Sequence, residues 1–533
     1  MSLCVAVRVS TFLSVCLLLA ACGDRDGAQP QDRSNETGQA AADDGFDSTY
    51  LARTTASMAA EHDGESGFLL LDRGRDAMSW RLLLADAAER SIDAQYFLWK
   101  DDAAGKVMMQ RLLDAAERGV RVRVLIDDSM TESDPHYLAL FGAHSNVQVR
   151  IYKPFGPAHK SFVVRWLDYL ADWKVANHRM HNKLFLVDGS AAIVGGRNIG
   201  NEYFEYPGPS VFRSRDLLAI GPVTGSATTA FELYWNSSWA IPIEEVVTPL
   251  PTADEALEEK MSLDTFATDA ANYPRGSFED PKDVTAEMER LATELLWGKA
   301  TLLVDAVPEG DGSSQTHDDL DNTGRTLARV AAEADNEILI QSAYLILLNG
   351  GFDELAAIRQ KGVTIKMSTN SLVSNNHLSS FAAYRPQRER MLGIGAELYE
   401  MRPDAMSERA QFTDAELNEH NIRFGLHAKT SVFDRKIVFV GSFNLDPRSV
   451  NLNTEMGLLV ESEGLAEAVA ESIENDMAGG NSWRVVLSDQ GTLSWLTVED
   501  GVITEETATE PMTTAVQREE ARLLSLVPDK NQQ

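Results

Sequence analysis

Cysteine is nearly absent. The three in the chain, Cys4, Cys16 and Cys22, all fall within its first 22 residues. Residues 23–533 hold none, so no disulfide can form there and stability must come from core packing. Positive charge is also scarce: 48 Lys and Arg stand against 81 Asp and Glu, a formal net charge of −33. A general nucleic-acid binder gains affinity by neutralising phosphates, so this balance speaks against nucleic acid as a partner. Beyond the first 20 residues no apolar run is long enough to cross a bilayer. No Gly-rich phosphate loop occurs, which argues against nucleotide use. His178 and His181 stand three apart, but no Cys or acidic cluster at ligand spacing accompanies them. The expectation is therefore no metal and no cofactor.

What is present begins with a targeting signal. Arg8 precedes an apolar run from Thr11 to Ala20, too short for a comfortable membrane span. The run ends Leu19-Ala20-Ala21-Cys22, which resembles a bacterial lipobox. That reading makes residues 1–22 a lipoprotein signal peptide with Cys22 the lipid anchor. It places the protein in the bacterial cell envelope, facing the periplasm or exterior. Residues 23–60 are rich in Gly, Ala, Asp, Gln, Ser and Thr and read as a flexible tether.

The body reads as two similar halves. "SIDAQYFLW" (91–99) is a strand, Val107, Met108, Leu112, Leu113 and Ala116 mark an amphipathic helix stopped at Gly119, and "VRVRVLIDD" (120–128) is the next strand. The second half repeats the plan with "EILIQSAYLIL" (337–347), a helix at 352–361 stopped by Gly362, and "VTIKMSTNS" (363–371). Strand and helix alternation predicts an α/β fold. Lobes are expected at 61–242 and 301–498, with an acidic connection at 243–300 and a polar tail at 499–533. An aromatic and basic stretch at 155–179 fits either a membrane-dipping helix or an ordinary buried face.

Each half carries one copy of His-x-Lys-x4-Asp. The first is His181, Lys183 and Asp188; the second is His427, Lys429 and Asp434. Asn198 and Asn444 follow at matched offsets. All pairs are separated by the same 246 positions (181 to 427, 188 to 434, 198 to 444). One such pattern arises easily by chance, whereas two in register with matched Asn residues point to one site built from two halves. The composition suits phosphodiester chemistry without metal. Histidine serves as nucleophile and as acid or base near neutrality, and cations hold the phosphoryl oxygens. On a strand, positions i and i+2 share a face, so each Lys points where its His points. Ser442 offers a hydroxyl where the first half has Gly196. Asp188 and Asp434 each open a turn and read as structural.

The duplicated motif, with "RGVRVRVLIDD", "GGRNIGNEYF", "GSFNLDPRS" and "NTEMG", resembles the phospholipase D superfamily, and within it the bacterial cardiolipin synthases of the C type. The resemblance implies two similar lobes, each a mixed sheet flanked by helices, related by a pseudo-twofold axis with the active site at the seam. It implies phosphatidyl transfer between phospholipids through a phosphohistidine, with phosphatidylglycerol and either phosphatidylethanolamine or a second phosphatidylglycerol as substrates. By the same resemblance His181 is the nucleophile and His427 the acid and base. Asp216 and Glu455 are then the carboxylates that orient the histidines, and Asn198, Asn444 and Ser442 bind phosphate. Hydrolysis to phosphatidic acid is the alternative; a nuclease or a non-enzymatic lipid-binding lipoprotein fits less well. A complete duplicated site requires no partner chain.

Overall fold

The computed structural model describes residues 48–128, 135–154, 178–274, 284–308 and 323–526. The lipobox, the tether up to residue 47 and nearly all of the aromatic stretch, at 155–177, lie outside the described residues.

The first half supplies β1 (Ser66–Leu71), β2 (Ser91–Tyr96), β3 (Arg121–Asp127), β4 (Val147–Tyr152), β5 (Leu184–Val187), β6 (Ala191–Gly195), β7 (Ser210–Arg213), β8 (Asp216–Ile220) and β9 (Ala240–Pro242). The second supplies β10 (Leu296–Val304), β11 (Glu337–Ser342), β12 (Thr364–Asn370), β13 (Glu397–Met401), β14 (Arg423–Leu426), β15 (Lys429–Phe433), β16 (Ile437–Gly441), β17 (Met456–Glu461), β18 (Ser482–Leu487), β19 (Leu493–Glu499) and β20 (Val502–Thr507). Eighteen of these form one sheet. Its order from the centre outward is β1-β8-β6-β5-β2-β3-β4-β9 on one side and β10-β17-β16-β15-β11-β12-β13-β18 on the other, where β19 and β20 extend the edge beyond β18. The two orders match strand for strand. β1 and β10 meet antiparallel, Gly67 opposite Trp297, so the pseudo-twofold passes between them. The strands joined by crossover helices, β2-β3-β4 and β11-β12-β13, pair in parallel, as such connections require.

The expected helices are present at Ala103–Glu117 and Asn349–Gln360. Gly119 and Gly362 end them with φ of 95° and 93°, a left-handed conformation that glycine adopts without strain. The lobe boundaries need three corrections. Helix Tyr50–Ala59, capped by Thr49, occupies the end of the expected tether and places Leu51 in the first-lobe core. The acidic connection gives way to β10 at Leu296, ahead of its expected end, and its helices Ala253–Ala267 and Val284–Glu294 bury Leu263, Met288 and Leu291 in that same core. The C-terminal stretch adds β20 and helix Ala515–Leu524, whose Ala521 packs into the second-lobe core. Short or sparse apolar patterns hid all three.

Asp188 and Asp434 are structural. The Asp188 carboxylate accepts the backbone N–H groups of Glu89, Arg90 and Ser91 at 3.0, 2.8 and 2.9 Å. Asp434 does the same for Asp335, Asn336 and Glu337 at 2.9, 2.7 and 2.9 Å. Each thereby ties the turn after one strand to the entry of its neighbour, and each holds a positive φ. Asp188→Ala strands three donors in a buried place and should lower stability by about 3 kcal/mol in urea unfolding. Asp434→Ala leaves its donors nearer water and should cost about 1 kcal/mol.

Candidate active site at the seam between lobes

The two motifs meet because each is hydrogen-bonded to the opposite lobe. The His181 N–H donates to the Thr454 carbonyl at 2.9 Å, and the Thr454 N–H to the Arg179 carbonyl at 2.9 Å. Across the pseudo-axis, the N–H groups of His427 and Ala428 both donate to the Arg213 carbonyl, at 2.7 and 3.0 Å. β7 and β14 pair in parallel there, Arg213 opposite Leu426. A buried ion network fixes this strap: Arg213 and Arg215 from the first lobe hold Asp476 of the second at 3.0 and 2.6 Å. Removing one member of such a network leaves a buried charge uncompensated.

Both histidines and both lysines are buried. Lys429 Nζ donates to the His427 carbonyl at 2.7 Å and lies 3.2 Å from His427 Nδ1. Lys183 Nζ bonds the His181 carbonyl in the same way and sits 5.5 Å from the Phe97 ring centroid. The predicted shared direction of His and Lys is thus observed in both halves. Phe97 packs edge-on against His181, Tyr203 edge-on against His427, and Phe212 stacks on His427. These rings fix the imidazoles. They carry no repeat signal, so the sequence did not mark them.

The two halves part company at the orienting carboxylate. His181 Nδ1 lies 2.8 Å from Glu455 Oε2. Glu455 in turn accepts from the hydroxyls of Ser442 and Ser449, the latter at 2.7 Å, while its N–H donates to Asp305 at 2.9 Å. Ser442 therefore buttresses the carboxylate. Asp216, expected to orient a histidine, does not. Its carboxylate takes Arg81 at 2.8 Å and the Arg197 N–H at 3.2 Å and stays below the usual carboxylate range despite burial, held there by Arg81 and Arg197. The strand register gives the reason. Gly195 lies opposite Asp216, and its symmetry mate Gly441 lies opposite Gly457. The mate of Asp216 is thus Gly457, and the mate of Glu455 is Ser214. Among the described residues His427 has no carboxylate on its ring.

The asparagines also differ from expectation in detail. Asn198 Nδ2 donates to the Tyr203 hydroxyl at 3.0 Å, while Asn198 Oδ1 and Asn444 Oδ1 are buried without a hydrogen bond among the described residues. A half-turn of the Asn198 amide lets Tyr203 donate to the oxygen and frees Nδ2 as a donor. His178 Nδ1 bonds the Leu452 carbonyl at 2.7 Å. Sequence reasoning missed Asp305 and Ser449. Ser449 closes the run "GSFNLDPRS"; Asp305 directly follows β10 and belongs to no motif.

Burial dominates the electrostatics. It drives both imidazoles and both lysine amines below their ordinary values, and the two lysines reinforce this on each histidine. Lys183 falls to about 7, and burial pushes the Glu455 carboxyl up to about 7. Four buried bases around one seam are a site that an anion completes. A bound anion favours the charged amine and so raises the Lys183 pKa. Binding above pH 7 therefore takes up a proton, and affinity falls as pH rises. Tungstate, a tetrahedral dianion, should bind less tightly by up to about tenfold per pH unit between about 7 and 9. Calorimetry in buffers of different ionisation enthalpy should show proton uptake at pH 8; zero uptake would contradict this electrostatic picture.

Comparison with known proteins agrees with this architecture. The family described as "Cardiolipin synthase, PLD-like domain" matches residues 83–211 and 327–477, one segment in each lobe. The chain belongs to this family. It is 33% identical to cardiolipin synthase C of Escherichia coli over 482 residues, 90% of this chain and 98% of that protein. It is 30% identical to an uncharacterized protein of Helicobacter pylori over 86% of this chain and 88% of that one. Among solved structures, phosphatidylserine synthase of Haemophilus influenzae shares the fold with a TM-score of 0.50 at 13% identity, covering 79% of this chain and 90% of that one. The protein is an enzyme of the phospholipase D superfamily.

Proposed function

We propose that this phospholipase D-type enzyme is a phosphatidyltransferase that joins two phospholipids into cardiolipin through a phosphohistidine. The observation that carries the mechanism is the single carboxylate. Glu455 accepts the Nδ1 proton of His181, which leaves Nε2 unprotonated as the nucleophilic nitrogen and stabilises the positive ring formed on attack. His427 lacks such a partner and lies beside Lys429; an anionic phosphate offsets the lysine charges that lower its pKa, so His427 takes up a proton as the phosphodiester binds and gives it readily to the leaving oxygen. In the first step His181 Nε2 attacks phosphorus, the bond to the departing alcohol oxygen breaks, and His427 protonates that oxygen. In the second, the hydroxyl of a phosphatidylglycerol gives its proton to His427 and attacks phosphorus, and the nitrogen–phosphorus bond breaks. Lys183, Lys429 and the two asparagine amides hold the non-bridging oxygens.

The 33% identity to cardiolipin synthase C supports the product. Phosphatidylethanolamine or a second phosphatidylglycerol serves as donor, releasing ethanolamine or glycerol. We further propose that Cys22 is lipidated and that the enzyme works at the envelope membrane, facing the periplasm or exterior. The test is a product assay. Protein lacking residues 1–22 is given phosphatidylglycerol vesicles with and without phosphatidylethanolamine, and the lipids are resolved by mass spectrometry. Cardiolipin is the expected product. Phosphatidic acid without cardiolipin would instead make water the acceptor.

A further inference from the structure

The duplication should give both lobes similar interiors, yet it does not. The second lobe contains an apolar cavity of about 590 Å³ between the sheet and helices Thr323–Glu333 and Asn349–Gln360. The first lobe is filled in the same place. Positions 246 residues apart show how. Met78 and Leu82 are buried in the first lobe, and their counterparts are Gly324 and Ala328; on the next helix, whose closing glycines Gly119 and Gly362 are 243 apart, buried Met108 matches Gly351, and all three counterparts lie on the cavity wall. Arg81 reaches Tyr96 and Asp216 in the first lobe; the matching positions hold Leu327 and Ser342. Large and charged side chains have been exchanged for small and apolar ones on one side only. Ile340, in mid-strand, is left half-buried, whereas its mate Ala94 is fully covered.

One end of this cavity is lined by the immediate neighbours of Lys429 and Asn444, namely Thr430 and Leu445. Ser342 on its wall lies opposite Lys429 in the β11–β15 register. The Leu445 N–H donates to the Ser342 hydroxyl at 2.9 Å, and Leu445 directly follows Asn444. Asp446, also on the wall, opposes the loss of the Lys429 charge. An unfilled apolar space adjoining a phosphate site has the chemistry of a lipid tail. An apolar cavity of about 150 Å³ takes one benzene, so the volume of this one admits roughly 20 carbons.

We infer that this cavity is an acyl-chain site that seats one tail of a phospholipid whose phosphate lies between His181 and His427. The inference rests on the phospholipid substrate proposed above and adds where selectivity for chain length resides. Up to about fourfold in affinity is available per methylene buried. The test compares diacyl phosphatidylglycerols with six-carbon and sixteen-carbon tails in wild type, Ala328→Leu (the residue of the twin position) and Ala328→Phe. Wild type should favour the longer tails. The filled variants should lose about tenfold or more of kcat/KM on sixteen carbons and stay within about twofold on six. Identical chain-length profiles in proteins of unchanged thermal stability would overturn the inference.

A second measurement works without turnover. His181→Ala protein is irradiated with vesicles of phosphatidylglycerol bearing a diazirine at the tail end. Adducts on the peptides spanning residues 324–358 are expected; adducts only elsewhere would contradict the site even if Ala328→Phe fails to fold. If wild type turns over no phospholipid of any length but the adducts form, the transferase reading fails and the tail site stands.

Discussion

His181→Ala is expected to remove phosphatidyl transfer almost entirely, by about 10⁴-fold or more, with the protein still folded. Loss of a nucleophile costs as much as loss of the whole covalent route, because no other group can form the intermediate. Among the described residues the imidazole that interacts electrostatically with His181 is His427, and its assigned work is to move a proton. Folding should survive. Burial and the Lys183 and Lys429 charges already hold the imidazole neutral, and the backbone bond to Thr454 does not involve the side chain. The check is initial rate on phosphatidylglycerol vesicles beside urea unfolding of the same preparation. Residual activity above about one per cent in a folded variant would show that His181 is not the nucleophile.

Glu455→Gln should come next in size, at about 10³- to 10⁴-fold in kcat. The amide keeps the shape and an oxygen for Ser449 but offers an N–H to Ser442 and His181, where His181 Nδ1 needs an acceptor, so the wrong tautomer is imposed. KM should change little, since Glu455 touches the histidine and not the lipid. Ser214→Ala at the matched position beside His427 should change kcat less than about threefold. The contrast between the two matters most: equal losses at Glu455 and Ser214 would mean that the halves work symmetrically, which the register contradicts. Asp216→Asn should act through stability, by weakening the Arg81 pair, and not through the pH profile of kcat.

Much of this was legible because duplication is a signal that composition cannot imitate. Two His-x-Lys-x4-Asp copies in register located both ends of the seam, and the i and i+2 spacing put His and Lys on one face. Asp188 and Asp434 were readable as turn residues because Asp-Gly and Asp-Arg close strands. Orientation of the histidines was not readable in the same way. In each half one carboxylate falls in the β8 or β17 region, and a sequence cannot say that Asp216 sits two register positions beyond the mate of Glu455. Only strand pairing reveals that Ser214 is the true counterpart. The aromatic clamp of Phe97, Tyr203 and Phe212 was silent for another reason: its members come from three separated loops and strands with no period. The cavity beside β11 is a third kind of information, a difference between two interiors, visible only once both are built.

The central claim is a covalent bond from phosphorus to His181, and one measurement addresses it directly. His427→Ala protein is mixed with a phosphatidyl ester of p-nitrophenol, a leaving group that needs no acid. The reaction is quenched after one turnover and read by intact-protein and peptide mass spectrometry. The account predicts a burst of one p-nitrophenolate per protein and a phosphatidyl adduct on the peptide carrying His181, persistent because no base remains to activate the acceptor. A burst and adduct in His181→Ala instead, located at His427, would contradict it.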